Sequence, residues 1–133
     1  MESSALVAAL LEHDTAAMKP SPVGTEHVTS ALTLAEAGRA IIRARAAGRL
    51  TAEEEPRAVR ALRTFERRSF VLDVDRAVLA RVRRPFPIEP IRTLDAVHLA
   101  TIELLGEAPQ LVTVVTRDAR VRENAQAFGF VVA

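Results

Sequence analysis

Four carboxylates stand where secondary elements begin, and acids so placed could hold a cation. Glu36 follows a short β-branched run, HVTS (27–30). Asp95 opens the segment TLDAVHLATIELL (93–105), and Asp118 lies two residues beyond LVTVVT (111–116). Glu2 stands directly before the apolar pattern of SSALVAALLE (3–12). Carboxylates crowded into one crevice raise one another's pKa unless a cation neutralises them. An all-oxygen ligand set suits magnesium or manganese. Such an ion acidifies water and clamps phosphate oxygens, which is the chemistry of phosphodiester hydrolysis. Each acid also has a structural account. Thr33 to Glu36 reads T-L-A-E, a capping box. Asp95 suits the positive end of its helix, Asp118 is a natural N-cap, and Glu2 is an exposed terminal side chain with no role. Singly, the structural account is the better one for each; together, the metal account prevails if the four converge.

Whether they converge depends on the elements that carry them. Leu6 with Leu10 and Val7 with Leu11 repeat at helical spacing, predicting a helix over 3–12. The stretch 13–26 is irregular, with Pro20, Pro22 and Gly24. HVTSAL (27–32) contains a short strand, and a helix over about 34–47 ends at Gly48. A second helix over about 51–67 carries Val59, Leu62 and Phe65 as its buried seam. FVLDV (70–74) is a strand, and the helix after it runs to Arg84, where PFP (85–87) stops it. The loop PFPIEPIR (85–92) leads into the helix over 93–105. LVTVVT is the clearest strand, continuous and β-branched as expected of one buried on both faces. A helix over about 119–127 and a strand over 130–132 complete the order. Strands alternating with helices predict an α/β fold, a three-layer α/β/α sandwich with a parallel sheet. Such sheets bind ligands at the carboxyl ends of their strands, where Glu36 and Asp118 would lie.

At 133 residues the chain has the length of one domain. Hydrophobic residues at 49% and charged residues at 26% place it among globular rather than disordered proteins. No cysteine is present, which excludes a disulfide framework and thiolate zinc sites. No apolar run reaches the length of a membrane span, and no signal-peptide pattern opens the chain, so no membrane partner and a cytoplasmic location are expected. A net charge of +1 does not mark a strongly basic nucleic-acid binder. Of the 18 basic residues, however, only Lys19 is a lysine. Arginine's planar fork suits phosphate and carboxylate partners, and GC-rich coding would produce the same bias.

Two segments taken together, TLDAVHLATIELL (93–105) and VVTRDARVRENAQAFGFVV (114–132), resemble the C-terminal half of a PIN domain, in particular that of VapC-type toxins. HVTSALTLAEAGRAIIRA (27–44) is similar to the segment bearing the family's glutamate, and ESSALVAALLE (2–12) to its opening. The likeness covers essentially the whole chain and is weakest over 13–26 and 50–90. It implies that Glu36, Asp95 and Asp118 belong to an acidic quartet, with Ser4 and Thr116 as accessory polar positions. Glu2 is then the fourth acid, where most members have aspartate, and its extra methylene alters metal geometry. The resemblance further implies one or two Mg2+ or Mn2+ ions, endoribonuclease hydrolysis leaving a 5′-phosphate and a 3′-hydroxyl, and inhibition by a small antitoxin that inserts a C-terminal segment. It implies a homodimer that meets DNA only through the antitoxin. In PIN domains the first acid ends a central strand, and only Met1 precedes Glu2. A natural start several residues upstream is therefore expected, with most of that strand missing from the sequence as given.

The remaining candidates divide by position. His98 lies one turn after Asp95 on the same helix face, a packing group near the site rather than a metal ligand. His13 and His27 show no ligand spacing with it. Arg60, Arg63 and Arg67 share a face away from the apolar seam, a solvated face before it is an RNA contact. Arg92 and Arg117 flank Asp95 and Asp118 and are the better candidates for touching substrate or balancing the acids. Phosphate-loop, dinucleotide and serine-hydrolase motifs are absent. A receiver domain would need a lysine that the late strands do not supply. Two other readings remain open: a PIN-fold binding scaffold with little or no catalysis, and a stand-alone RNA-processing nuclease.

Overall fold

The computed structural model describes Met1, Ser3–Leu11 and residues 23–133. Readings that fall on Glu2, His13 and the prolines at 20 and 22 lie outside the described residues. Helix α1 spans Ser3–Leu11, and strand β1 (His27–Ser30) leads directly into α2 (Ala31–Ala46). Helix α3 (Glu54–Arg68) runs into β2 (Ser69–Leu72), followed by α4 (Arg76–Val82). Helix α5 (Thr93–Glu103), a 3-10 turn at Pro109–Leu111, β3 (Thr113–Val114), α6 (Ala119–Ala127) and β4 (Val131–Val132) follow.

This is the expected α/β order with parallel pairing. β1 pairs with β2 from His27↔Ser69 to Ser30↔Leu72. β3 pairs with β4 at Thr113↔Val131 and Val114↔Val132. Among the described residues these form two separate two-stranded sheets. LVTVVT departs from expectation, because only two of its residues pair as strand. Leu111 is 79% exposed while Val114 and Thr116 are buried, so the run alternates instead of being buried on both faces. Pairing frays onward through Ala133, whose N–H donates to the Val114 carbonyl at 3.0 Å.

Local chemistry accounts for the helix ends. Ser30 caps α2, its Oγ accepting the Thr33 N–H at 3.1 Å. The helix therefore starts three residues before the predicted position, and Thr33 is an interior residue, so the Thr33–Glu36 capping box is corrected. A reciprocal box forms at α3 instead: Thr51 Oγ1 accepts the Glu54 N–H, and Glu54 Oε1 accepts the Thr51 N–H. Gly48, with φ +73°, turns the chain between α2 and α3 in a conformation that costs glycine little.

Two apolar clusters hold the elements. Leu6 and Leu10 of α1, Ala37, Ile41 and Ala44 of α2, and Ala58 and Phe65 of α3 make one. Val78, Phe86, Leu99, Val114, Val121 and Phe130 belong to the other, gathered around α5. Residues 95 to 101 are all buried, since α5 packs against both α4 and α6. The segment between α4 and α5 is pinned rather than loose. Arg81 pairs with Glu103 at 2.6 Å, donates to the carbonyls of Arg84 and Pro85, and lies 4.0 Å over the Phe86 ring. Glu89 accepts the N–H groups of Phe86 and Ile91, and the Glu89–Pro90 peptide is cis.

Candidate functional site

Three of the four predicted acids, Glu36, Asp95 and Asp118, lie among the described residues, along a polar seam where side-chain bonds link α2, α5 and the start of α6. Glu36 projects from the second turn of α2, and its Oε1 is 2.5 Å from Nε2 of His98 on α5. That contact joins residues 62 positions apart and ties one cluster to the other. Asp95 sits in the first turn of α5 with its side chain 12% exposed. Asp118 caps α6, its Oδ1 accepting the N–H groups of Arg120 at 2.9 Å and Val121 at 3.0 Å. The capping reading of Asp118 thus holds, while Oδ2 is left to face the seam.

Arg92 links the acids. Its Nε donates to Asp95 Oδ2 at 2.9 Å, and its NH2 reaches Asp118 Oδ2 at 3.4 Å. The guanidinium pKa is held above its ordinary value, first by the hydrogen bond to Asp95 and then by that residue's charge. Desolvation opposes these two, and the charges of Asp118 and Glu36 add smaller contributions in the raising direction. Arg92 thus joins Asp95 and Asp118 directly, while Glu36 reaches the same guanidinium only as the smallest of these influences.

Ser4 and Thr116 shape the backbone at that point. Ser4 Oγ accepts the Arg117 N–H at 2.8 Å and the Asp118 N–H at 3.2 Å, and it lies 3.3 Å from Thr116 Oγ1. Thr116 Oγ1 also accepts the Asp118 N–H, at 3.1 Å. Two hydroxyls thereby anchor the turn that presents Asp118, joining the start of α1 to the exit of β3. Met1 lies beside β1, its amino group donating to the Val28 carbonyl at 2.7 Å and its carbonyl accepting from Thr29. Arg117 is exposed beside this turn. Glu2 lies outside the described residues.

The donor chemistry fits a hard divalent cation: carboxylate oxygens, two of them already bonded to one cationic side chain. Among the described residues no group of three His, Asp or Glu stands close enough to hold an ion as they are placed. A guanidinium stands between the acids instead.

Two features escaped the sequence reading. The direct bond from His98 to Glu36 is one, although His98 was placed near the site. Asn124 is the other: fully buried in α6, it accepts the Ile88 N–H at 2.9 Å and donates to the carbonyls of Ile88 and Arg120 at 3.0 Å. Its signal was an amide on the apolar face of a short helix, beside Val121 and Ala125. Arg60, Arg63 and Arg67 are exposed, as expected.

The PIN domain family model matches residues 2–127. Ribonuclease VapC46 of Mycobacterium tuberculosis (strain ATCC 25618 / H37Rv) is 37% identical over 139 aligned positions, covering 99% of this chain and 93% of that protein. Ribonuclease VapC35 of the same organism (strain CDC 1551 / Oshkosh) is 36% identical over 105 residues, 79% of this chain and 70% of the relative. No solved structure matches the chain significantly.

Proposed function

The chain belongs to the PIN-domain family, among its VapC-type ribonucleases, and from that premise we propose that it is a metal-dependent endoribonuclease acting as the toxin of a type II toxin–antitoxin pair. The observation that carries the reading is the joining of Asp95 and Asp118 through Arg92 at the start of α5, the helix whose His98 also holds Glu36. In this proposal the 133 residues act as one domain. Glu36, Asp95 and Asp118, with Glu2 as the fourth acid, hold one or two Mg2+ or Mn2+ ions. When bound, the metal neutralises phosphate oxygens and makes water acidic enough to attack the RNA phosphodiester.

The chain's own residues do the rest. Asp118 keeps one oxygen on the α6 N-terminus and turns the other to the pocket. His98 fixes the carboxylate of Glu36 from the second turn of α2. Ser4 and Thr116 hold the turn that presents Asp118. Arg117, exposed beside that turn, contacts RNA phosphates, and Arg92 joins it there. A small antitoxin covers the site with its C-terminal segment, the toxin forms a homodimer, and only the antitoxin contacts DNA. No helix among the described residues is long and apolar enough to cross a membrane, and the proposed workplace is the cytoplasm.

The test is RNA cleavage in Mn2+ by the wild-type chain beside Asp95→Asn. Cleavage by the wild type with a loss of about a hundredfold or more in the variant is expected, because removing a metal-holding carboxylate removes the charge stabilisation it supports. A second reading, a binding scaffold with little catalysis, is favoured by the guanidinium occupying the acidic pocket. It requires wild type and Asp95→Asn to behave alike. A short upstream gene with a DNA-binding N-terminus supports the toxin reading, and its absence supports a stand-alone RNA-processing nuclease.

A further inference from the structure

The position of Arg92 has a consequence for metal binding beyond the contacts a substrate would make. We propose that the Arg92 guanidinium is a resident counter-cation of the acidic pocket, competing with the divalent ion for the same carboxylate oxygens and leaving when that ion enters. The inference rests on the metal-dependent reading above, and it concerns this chain's own side chain rather than the ion's geometry.

Three observations support it. Arg92 bonds the Oδ2 atoms of both Asp95 and Asp118, and Oδ2 of Asp118 is the oxygen its helix does not use. An ion taking those same oxygens meets a positive charge already seated on both. Secondly, the Arg92 side chain is 72% exposed, so it can withdraw without opening a core. It borders an open cavity of about 320 Å³ lined with Asp118, Ala119 and Arg120. Lastly, the segment that delivers Arg92 is fixed by Glu89, Arg81 and Asn124. The backbone stays while the side chain moves.

Competition gives an uncommon sign: removing a charged side chain beside the site strengthens metal binding. A residue that positions the carboxylates for the ion would do the reverse. The experiment is titration calorimetry of the chelator-treated full chain with MnCl2, for wild type, Arg92→Ala and Arg92→Gln, with thermal unfolding in EDTA and in saturating Mn2+. Mn2+ affinity about three- to tenfold higher in both variants is expected, since exposed ion pairs are individually weak. The melting temperature should fall in EDTA, where the acids lose their counter-cation, and match wild type in Mn2+. If one variant does not fold, the other carries the comparison. Equal or weaker Mn2+ binding in a folded variant overturns the competition while leaving the metal reading intact. No Mn2+ binding by wild type or variants overturns both.

Discussion

At the scale of single residues, the site depends on which side chains reach across the seam. His98 is 4% exposed and spends Nε2 on Glu36. Groups that orient a metal-holding side chain matter nearly as much as the side chain itself. His98→Ala should lower Mn2+ affinity about 10–100-fold, and His98→Gln, whose amide nitrogen can approach the Nε2 position, should recover part of it. Calorimetry decides; unchanged affinity in His98→Ala would leave the contact as packing alone. The raised pKa of Arg92 sets the sign of any pH effect from that group. Its contribution is complete below the unfolded-state value and is lost only as pH climbs through the higher folded-state value. Arg92 therefore stays charged well into the alkaline range.

Legibility in the sequence follows locality. Asp118 as an N-cap and Asp95 in a first turn were readable because capping is decided within a few residues. Glu36 was misread as a capping partner because Ser30, the last residue of β1, could serve as the cap and did. With α2 begun earlier, Glu36 lies a turn further along and reaches a histidine 62 positions away. Nothing in the local pattern announces such a partner.

At the scale of elements, the segment between α4 and α5 is held mainly by side chains. Asn124 bonds both the N–H and the carbonyl of Ile88 from inside α6. Asn124→Ala removes three hydrogen bonds made by a fully buried amide, which costs about 1–3 kcal/mol in all. Urea unfolding should show that loss, and Mn2+ binding should change with it because Arg92 rides on the same segment. An Asn124→Ala protein of wild-type stability would contradict this account. Helix limits were mostly readable from periodicity and from proline and glycine stops, as at PFP and Gly48. The β3 region was not. A β-branched run announces a strand, but burial on both faces depends on what lies over each face, and that information belongs to the rest of the chain. Exposed Leu111 marks the difference.

For the whole molecule, the proposed ion is a ligand of the folded state alone, since the acids come from separate helices. Mn2+ at a hundred times its dissociation constant should therefore stabilise the chain by about 2.7 kcal/mol. Differential scanning calorimetry would read this as a concentration-dependent rise in melting temperature, and a melting temperature indifferent to Mn2+ would count against a metal pocket. The link between Asp95 and Asp118 through Arg92 is a property that composition and spacing could not supply, because it joins residues from separate helix starts.

The hydroxyl of Ser4 grips the N–H of a residue 114 positions later in the chain. A ribosome adding roughly 5–20 residues per second needs on the order of ten seconds to make that later residue. Throughout this delay the nascent polypeptide holds Ser4 without the partner it will grip. The closing of this junction belongs to the last stage of synthesis, however early the helix that offers the hydroxyl is made.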